Sequence, residues 1–203
     1  TPMVGMLGLF DDVTRHCDGR FKAAGDLVFL LGPAAGAWLD GSEYQKVHFG
    51  RVEGRVPDVD LALEVELQRV LREGIAAGLL KSAHDCAEGG LAVALAECCI
   101  ASGVEGGALT AAPPPSLGAA LSVPAGALRP DVALFGEGPS RVVVTCAADH
   151  ADALTALAAG LQLTILGTVT GDRLQVALGD SPAIDLPVDE LRRAYESLPE
   201  RLA

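Results

Sequence analysis

The chain has 203 residues, 50% hydrophobic but only 4% aromatic, so it can bury one good core filled mainly by Ala, Val and Leu. Its 15 basic and 27 acidic residues leave a formal charge of −12 with no cluster of Lys or Arg, which argues against nucleic acid and anionic membrane surfaces as partners. No apolar run approaches the roughly 20 residues of a membrane span, and no basic segment with a signal-like apolar stretch opens the chain, so a cytoplasmic protein is expected.

Residues 1–13 are Gly-rich and apolar, with no partner strand of their own, and read as the tail of something that precedes them. DLVFLL at 26–31, bounded by Gly25 and Gly32, is a short continuous apolar run of the kind found in a strand covered on both faces. Residues 32–50 hold Pro33, Gly36, Gly41 and the polar SEYQK, which predicts a loop with one short strand or turn of helix. Within it, Ser42, Glu43 and Tyr44 supply a hydroxyl, a carboxylate and a phenol that can face a ligand or a neighbouring lobe, or simply bond within the loop. Leu63, Leu67, Val70, Leu71 and Ile75 recur at three and four residues after the start signals Pro57 and Asp58, predicting a helix over 57–80.

SAHDCAEGGLAVALAECCIASG at 82–103 is the densest segment. Asp85 followed by Glu88 resembles a capping box, and Gly89 and Gly90 let backbone approach a neighbour where a helix over 89–102 begins. Two roles stay open: an anion held on free amides at the positive helix end, or a capped helix packed tightly against a sheet. The second is favoured because Asp85 and Glu88 repel a bare phosphate unless Mg²⁺ bridges them. Cys17, Cys86, Cys98, Cys99 and Cys146 have no CxxC spacing, so a zinc site is not supported, and Cys98-Cys99 should pack as small core residues. His84, the one histidine beside this segment, is expected to bond a nearby carbonyl.

Residues 106–129 are rich in Ala and Pro and predict a surface excursion with a helical turn near 116–121. A strand follows at 141–146, with Glu137 and Arg141 expected to form an ion pair or a turn bond at its start. Asp149 is placed as the cap of a helix over 150–159. Residues 163–170 and 173–178 flank Gly171-Asp172 as a hairpin, and a helix over 187–198 closes the chain. Strands interleaved with helices give a mixed-sheet α/β (α+β) lobe rather than a parallel doubly wound one.

Several segments resemble, in order, the C-terminal lobes of the aminoimidazole ribonucleotide synthetase-like family, in its phosphoribosylformylglycinamidine synthase branch. HDCAEGGLAVALAE resembles HDxSxGGLAxALAE, FGEGPSRVVVT at 135–145 resembles FGESxSRVVVS, and ILGTVTGDRLQV at 165–176 resembles IGxVxGDRLxI. LDGSEYQKVHFGRVEGRVPDVDLALE at 39–64 is similar to the loop and helix that precede these, and TPMVGMLGLFDDV to the end of a preceding N-terminal lobe. The aminoimidazole ribonucleotide synthetase and selenophosphate synthetase branches fit the glycines but not SEYxK or FGEGPSRVVVT.

The resemblance implies that 1–13 end an N-terminal lobe and that 14–203 are the second C-terminal lobe. It implies a synthase that makes the amidine from formylglycinamide ribonucleotide, ATP and glutamine-derived ammonia, with Mg²⁺ in the full-length enzyme and no cofactor held tightly by this lobe. No catalytic residue and no metal ligand is expected here, because Gly138-Pro139 stands where the first C-terminal lobe has a substrate-contacting segment. Asp85, Glu88, Gly89 and Gly90, with Ser42, Glu43, Tyr44, Glu137 and Arg141, are candidates for an auxiliary nucleotide site or lobe interface. Partners implied are the N-terminal lobes of the same polypeptide and, if Ala203 in LPERLA is the natural end, a separate glutaminase subunit and a small bridging subunit. Trp38, Tyr44 and residues 3–10 should then lie on an uncovered apolar face through which the isolated lobe can self-associate. A freestanding scaffold or binding module of the same fold is the alternative.

Overall fold

The computed structural model describes residues 5–34, 38–100, 117–124, 126 and 128–197. Its centre is β1 (Leu27–Leu31), antiparallel to β4 (Val142–Cys146) on one side and to β5 (Leu163–Val169) on the other. Side chains alternate across a strand, so Val28 and Leu30 enter one core while Phe29 and Leu31 enter another. The first core is closed by α3 (Gly90–Ile100) through Leu91, Leu95 and Cys98. The second is closed by α2 (Leu61–Ala76) through Leu67 and Val70 and by α5 (Ala151–Leu157) through Leu154. A strand that feeds two cores has no polar face, which is why 26–31 reads as an uninterrupted apolar run.

One seven-stranded mixed sheet runs β2-β4-β1-β5-β3-β6-β7, with β2 (Ser82–Asp85) at one edge and β7 (Ser181–Pro187) at the other. The short α1 (Glu43–Phe49), α4 (Pro130–Phe135) and α6 (Val188–Glu196) complete the described elements. The mixed α/β architecture is as the sequence predicts. Buried Asp26 ties the start of β1 to the start of β2, where Lys81 Nζ donates to it at 2.5 Å.

Four local expectations are corrected. The stretch expected to make a helical turn near 116–121 contains β3 (Ala119–Val123), an interior strand whose residues alternate between buried and exposed. Its period of two identifies it, but the Pro-rich run before it dominated the composition. The hairpin is not at Gly171-Asp172, because β3 lies between β5 and β6 (Arg173–Leu178), and Gly118 bonds both Thr170 and Gly171 there. A second Gly-Asp pair, Gly179-Asp180, makes the two-residue turn between β6 and β7, with Gly179 at φ 57°. Helix α2 begins not at Pro57 but at Asp60, whose carboxylate accepts from the amides of Ala62 and Leu63 at 2.9 and 3.1 Å. Finally, Asp149 makes no side-chain cap; it lies in a 3₁₀ turn, Ala148–His150, that leads into α5. Residues 101–116, which include the end of the predicted 89–102 helix, lie outside the described residues.

The cysteines are free, and Cys86, Cys98, Cys99 and Cys146 are buried while Cys17 is half-buried. Burial pushes the Cys86 thiol from 9.0 up to about 11 and the Cys99 thiol up to about 12. A thiol held neutral in the fold contributes stability at pH values up to its unfolded pKa, and that contribution is lost as pH rises through the folded value. Urea midpoints should therefore fall between pH 9 and 11, more steeply than in a Cys86→Ala, Cys99→Ala variant. Equal pH slopes for the two proteins would contradict this assignment.

Candidate functional site

The turns at one end of the sheet enclose an open cleft of about 860 Å³. One wall is the 52–57 segment with Asp40 and Gly41, the second is the start of α2 with Val59 and Glu64, and the third joins 85–88 to 137–142. The structure thus brings Asp85, Glu88, Glu137 and Arg141 together, as the sequence could not show. It does not bring Ser42, Glu43 or Tyr44 into the lining; they stand behind the wall. Ser42 is fully buried, caps α1 by accepting from Gln45 N at 3.2 Å and donates to the Leu39 carbonyl. Glu43 pairs with Lys46 on the exposed side, and Tyr44 stacks on Phe135 at 5.1 Å between ring centres.

Of the ion pair or turn bond expected of Glu137 and Arg141, no ion pair between them is present among the described residues, while Arg141 does bond across the turn to the Gly136 carbonyl; both direct their charge at backbone groups. Glu137 Oε1 accepts from Gly89 N at 2.7 Å and from Glu43 N at 2.9 Å, tying α3 to α1. Arg141, 2% exposed, donates to the carbonyls of Pro33 at 3.1 Å, Gly136 at 3.1 Å and Ala34 at 3.4 Å. Burial pulls its pKa below the ordinary guanidinium range. A guanidinium can serve several carbonyls at once because its donors fan out in one plane.

The expected capping box is also replaced. No side-chain bond from Asp85 or Glu88 to the first amides of α3 is present among the described residues, and Glu137, 48 positions on from Gly89, supplies the cap. Gly90 N donates to the Ala87 carbonyl at 3.1 Å, so neither glycine amide is free for an anion. Both glycines have positive φ, 80° and 66°, and a Cβ on Gly90 would lie 2.8 Å from the Gly136 carbonyl oxygen and 2.9 Å from the Phe135 carbonyl carbon. Gly90 thus allows close approach to the end of α4, whereas a Cβ on Gly89 would collide with Cγ2 of Val93 in α3 itself. His84 bonds a carbonyl as expected, its Nδ1 lying 2.8 Å from the Asp85 oxygen.

Sequence patterns missed the Ser140–Glu64 contact. Ser140 follows Gly138-Pro139 and is the one non-glycine residue with positive φ among those described, at 60°. Its hydroxyl donates to Glu64 Oε2 at 2.7 Å, and this bond, with a second from Gln68, holds the Glu64 carboxyl below its ordinary range. The pairing spans 76 positions, so no local pattern announces it.

The lining carries six carboxylates, those of Asp40, Glu53, Glu64, Asp85, Glu88 and Glu137, against the guanidiniums of Arg55 and Arg141. No group of three His, Cys, Asp or Glu side chains among the described residues has metal-binding geometry. With the Gly89 and Gly90 amides both engaged, this turn offers no free amide to the phosphates of an Mg²⁺–polyphosphate group. Around the cleft the surface is apolar as well: Val52, Val56, Val59, Leu61 and Val65 are all exposed, Val56 to 82%. Trp38 is 55% exposed, and Met6 and Leu9 are 90% and 101% exposed. No described helix is long and apolar enough to cross a membrane.

The family model described as AIR synthase related protein, C-terminal domain, matches residues 23–179. The chain is 45% identical over 197 residues to the phosphoribosylformylglycinamidine synthase subunit PurL of Anaeromyxobacter sp. (strain Fw109-5), covering 96% of this chain and 24% of that protein. It is 40% identical over 214 residues to the same subunit of Synechococcus sp. (strain CC9902), covering 100% of this chain and 26% of that one. It therefore spans about a quarter of the length of these curated relatives. Among solved structures, Thermotoga maritima PurL complexed with FGAR superposes with a TM-score of 0.70 at 19% identity, covering 89% of this chain and 30% of that one. The T. maritima structure described as PurLQS gives 0.65 at 18% identity, with 89% and 28% covered, and PurL complexed with ATP gives 0.67 at 19%, with 89% and 28% covered. At these identities the likeness to solved structures shows the fold.

Proposed function

Because the chain belongs to the AIR synthase related family through its C-terminal domain, we propose that it is the second C-terminal lobe of a phosphoribosylformylglycinamidine synthase, a piece of the enzyme rather than the whole of it. The observation that carries this reading is a match along 96% of the chain to proteins about four times its length. In this reading the full polypeptide consumes formylglycinamide ribonucleotide, ATP and glutamine-derived ammonia in the cytoplasm. The ATP-complexed and PurLQS structures of the T. maritima protein support nucleotide use and partner subunits for such an enzyme, here a separate glutaminase and a small bridging subunit.

This lobe supplies structure to that reaction. Residues 1–13 belong to the preceding N-terminal lobe, and the apolar surface formed by Trp38 and the valines from Val52 to Val59 faces the lobes of the same polypeptide. Exposed apolar side chains of this number on one end of a domain favour association, since each one fully buried contributes about 1.5–3 kcal/mol. In isolation the same surface drives self-association. In this reading the groups that bind Mg²⁺ and carry the reacting phosphoryl lie mainly on the other lobes.

The isolated 203-residue chain, given formylglycinamide ribonucleotide, ATP, Mg²⁺ and ammonium salt, should form no amidine above the buffer blank. Turnover comparable with the full-length enzyme would overturn the lobe reading. The mass of the endogenous polypeptide in its source, measured with an antibody to this chain, separates it from a freestanding module of the same fold. A product of several hundred residues is expected, and one starting near Thr1 would favour the module.

A further inference from the structure

We propose that Glu137 is a resident anion: its carboxylate occupies the point at which an external phosphate or carboxylate oxygen would meet the amides of Gly89 and Glu43, and so closes this cleft to nucleotide phosphate. One oxygen, Oε1, accepts both bonds, at 2.7 and 2.9 Å, from backbone positions 48 and 94 residues away. Charge-assisted bonds of this length are the strong kind, and an incoming anion would have to displace them.

Glu137 is held in place on both sides. Its backbone forms a β-bridge with Trp38, and the neighbouring Phe135 stacks on Tyr44 of the helix whose first amide it binds. Of the two guanidiniums lining the cleft, Arg141 is committed to three carbonyls and Arg55 pairs with Asp58 at 3.1 Å. Asp85 and Glu88 add like charge at the mouth. Glu137 is thus a positioning residue that joins α1 to α3 and sets the charge preference of the cleft against anions. This inference stands on the hydrogen bonds alone and holds whether or not the lobe reading does.

The test compares the 203-residue chain with its Glu137→Ala variant in potassium chloride, acetate and phosphate at one ionic strength. The wild type should show no saturable anion-dependent rise, only the gradual, non-saturating increase that excluded salts such as phosphate give any fold. Glu137→Ala should melt several degrees lower in chloride and regain at least half of the loss in acetate, along a saturable curve, as the added anion takes the empty place. A saturable phosphate-dependent rise for the wild type would overturn the proposal, and so would an Ala variant that no anion rescues. If Glu137→Ala does not fold, amide-resolved NMR spectra of the wild type decide. The Gly89 and Glu43 amides, each already donating to Glu137, should show no saturable shift as phosphate is added, and a saturable shift at both would overturn the proposal.

Discussion

Gly90→Val is expected to destabilise the lobe by about 3 kcal/mol. Gly90 sits at φ 66°, where a side chain meets its own backbone, and such a residue is strained by about 1–3 kcal/mol. A Cβ would also lie 2.8 Å from the Gly136 carbonyl oxygen and 2.9 Å from the Phe135 carbonyl carbon, both backbone atoms that cannot rotate away. Forced expansion of a packed contact costs about 1–3 kcal/mol more. At about 2–4 °C per kcal/mol for a domain of this size, the melting temperature should drop by roughly 6–12 °C. Because α4 leads into Glu137, the displaced contact should also weaken the tie to α1, so amide exchange should accelerate over Glu43–Phe49. An unchanged melting temperature would show that the turn is loose.

Arg141→Met is expected to destabilise by a similar amount, about 3 kcal/mol, for a different reason. Methionine fills much of the volume but leaves the carbonyls of Pro33, Gly136 and Ala34 without the donor that now serves them. Losing bonds to a charged group costs about 1.5–3 kcal/mol each, and they are not additive within one side chain. Arg141→Lys should recover only part of the loss, since an ammonium on a flexible stem cannot reach three separated carbonyls in one plane. Urea denaturation at constant slope measures both variants. A lysine variant as stable as the wild type would mean that only the charge matters, which the geometry does not support.

These two residues also mark how far the sequence is legible. Helix α2 and strands β1 and β4 follow from their own apolar spacing, because burial on one stripe or on both faces writes itself into consecutive residues. The glycine pair at the start of α3 is legible as a point of close approach, but what approaches Gly90, the end of α4, lies some 45 residues away and is not. The same holds for Glu137 and Arg141. Their types suggested an ion pair or a turn bond; Arg141 does bond across the turn to Gly136, but the remaining partners are backbone groups brought in by α1, α3 and the turn after β1. The position of β3 was hidden for another reason: a strand inserted between β5 and β6 leaves the sequence between those two looking like a hairpin turn. Gly179-Asp180, which does make the hairpin, carries the same dipeptide as Gly171-Asp172, so turn chemistry alone could not rank them. The family was legible because motif order survives where contacts cannot be read.

Of the uncovered apolar face expected at Trp38, Tyr44 and residues 3–10, Trp38 is exposed and so are Met6, Leu7, Leu9 and Phe10; the exposed Val52 and Val56 beside the cleft were not expected. Tyr44 is different: it is half-buried on Phe135 and does not share in the uncovered face.

Reconstitution tests the lobe assignment most directly. The 203-residue chain is mixed with the separately produced remainder of the full-length polypeptide, and amidine formation from formylglycinamide ribonucleotide, ATP, Mg²⁺ and ammonium salt is followed against chain concentration. The account predicts that neither part turns over alone and that activity rises to a plateau as the chain saturates its partner lobes. Full activity from the remainder alone, unchanged by added chain, would contradict it.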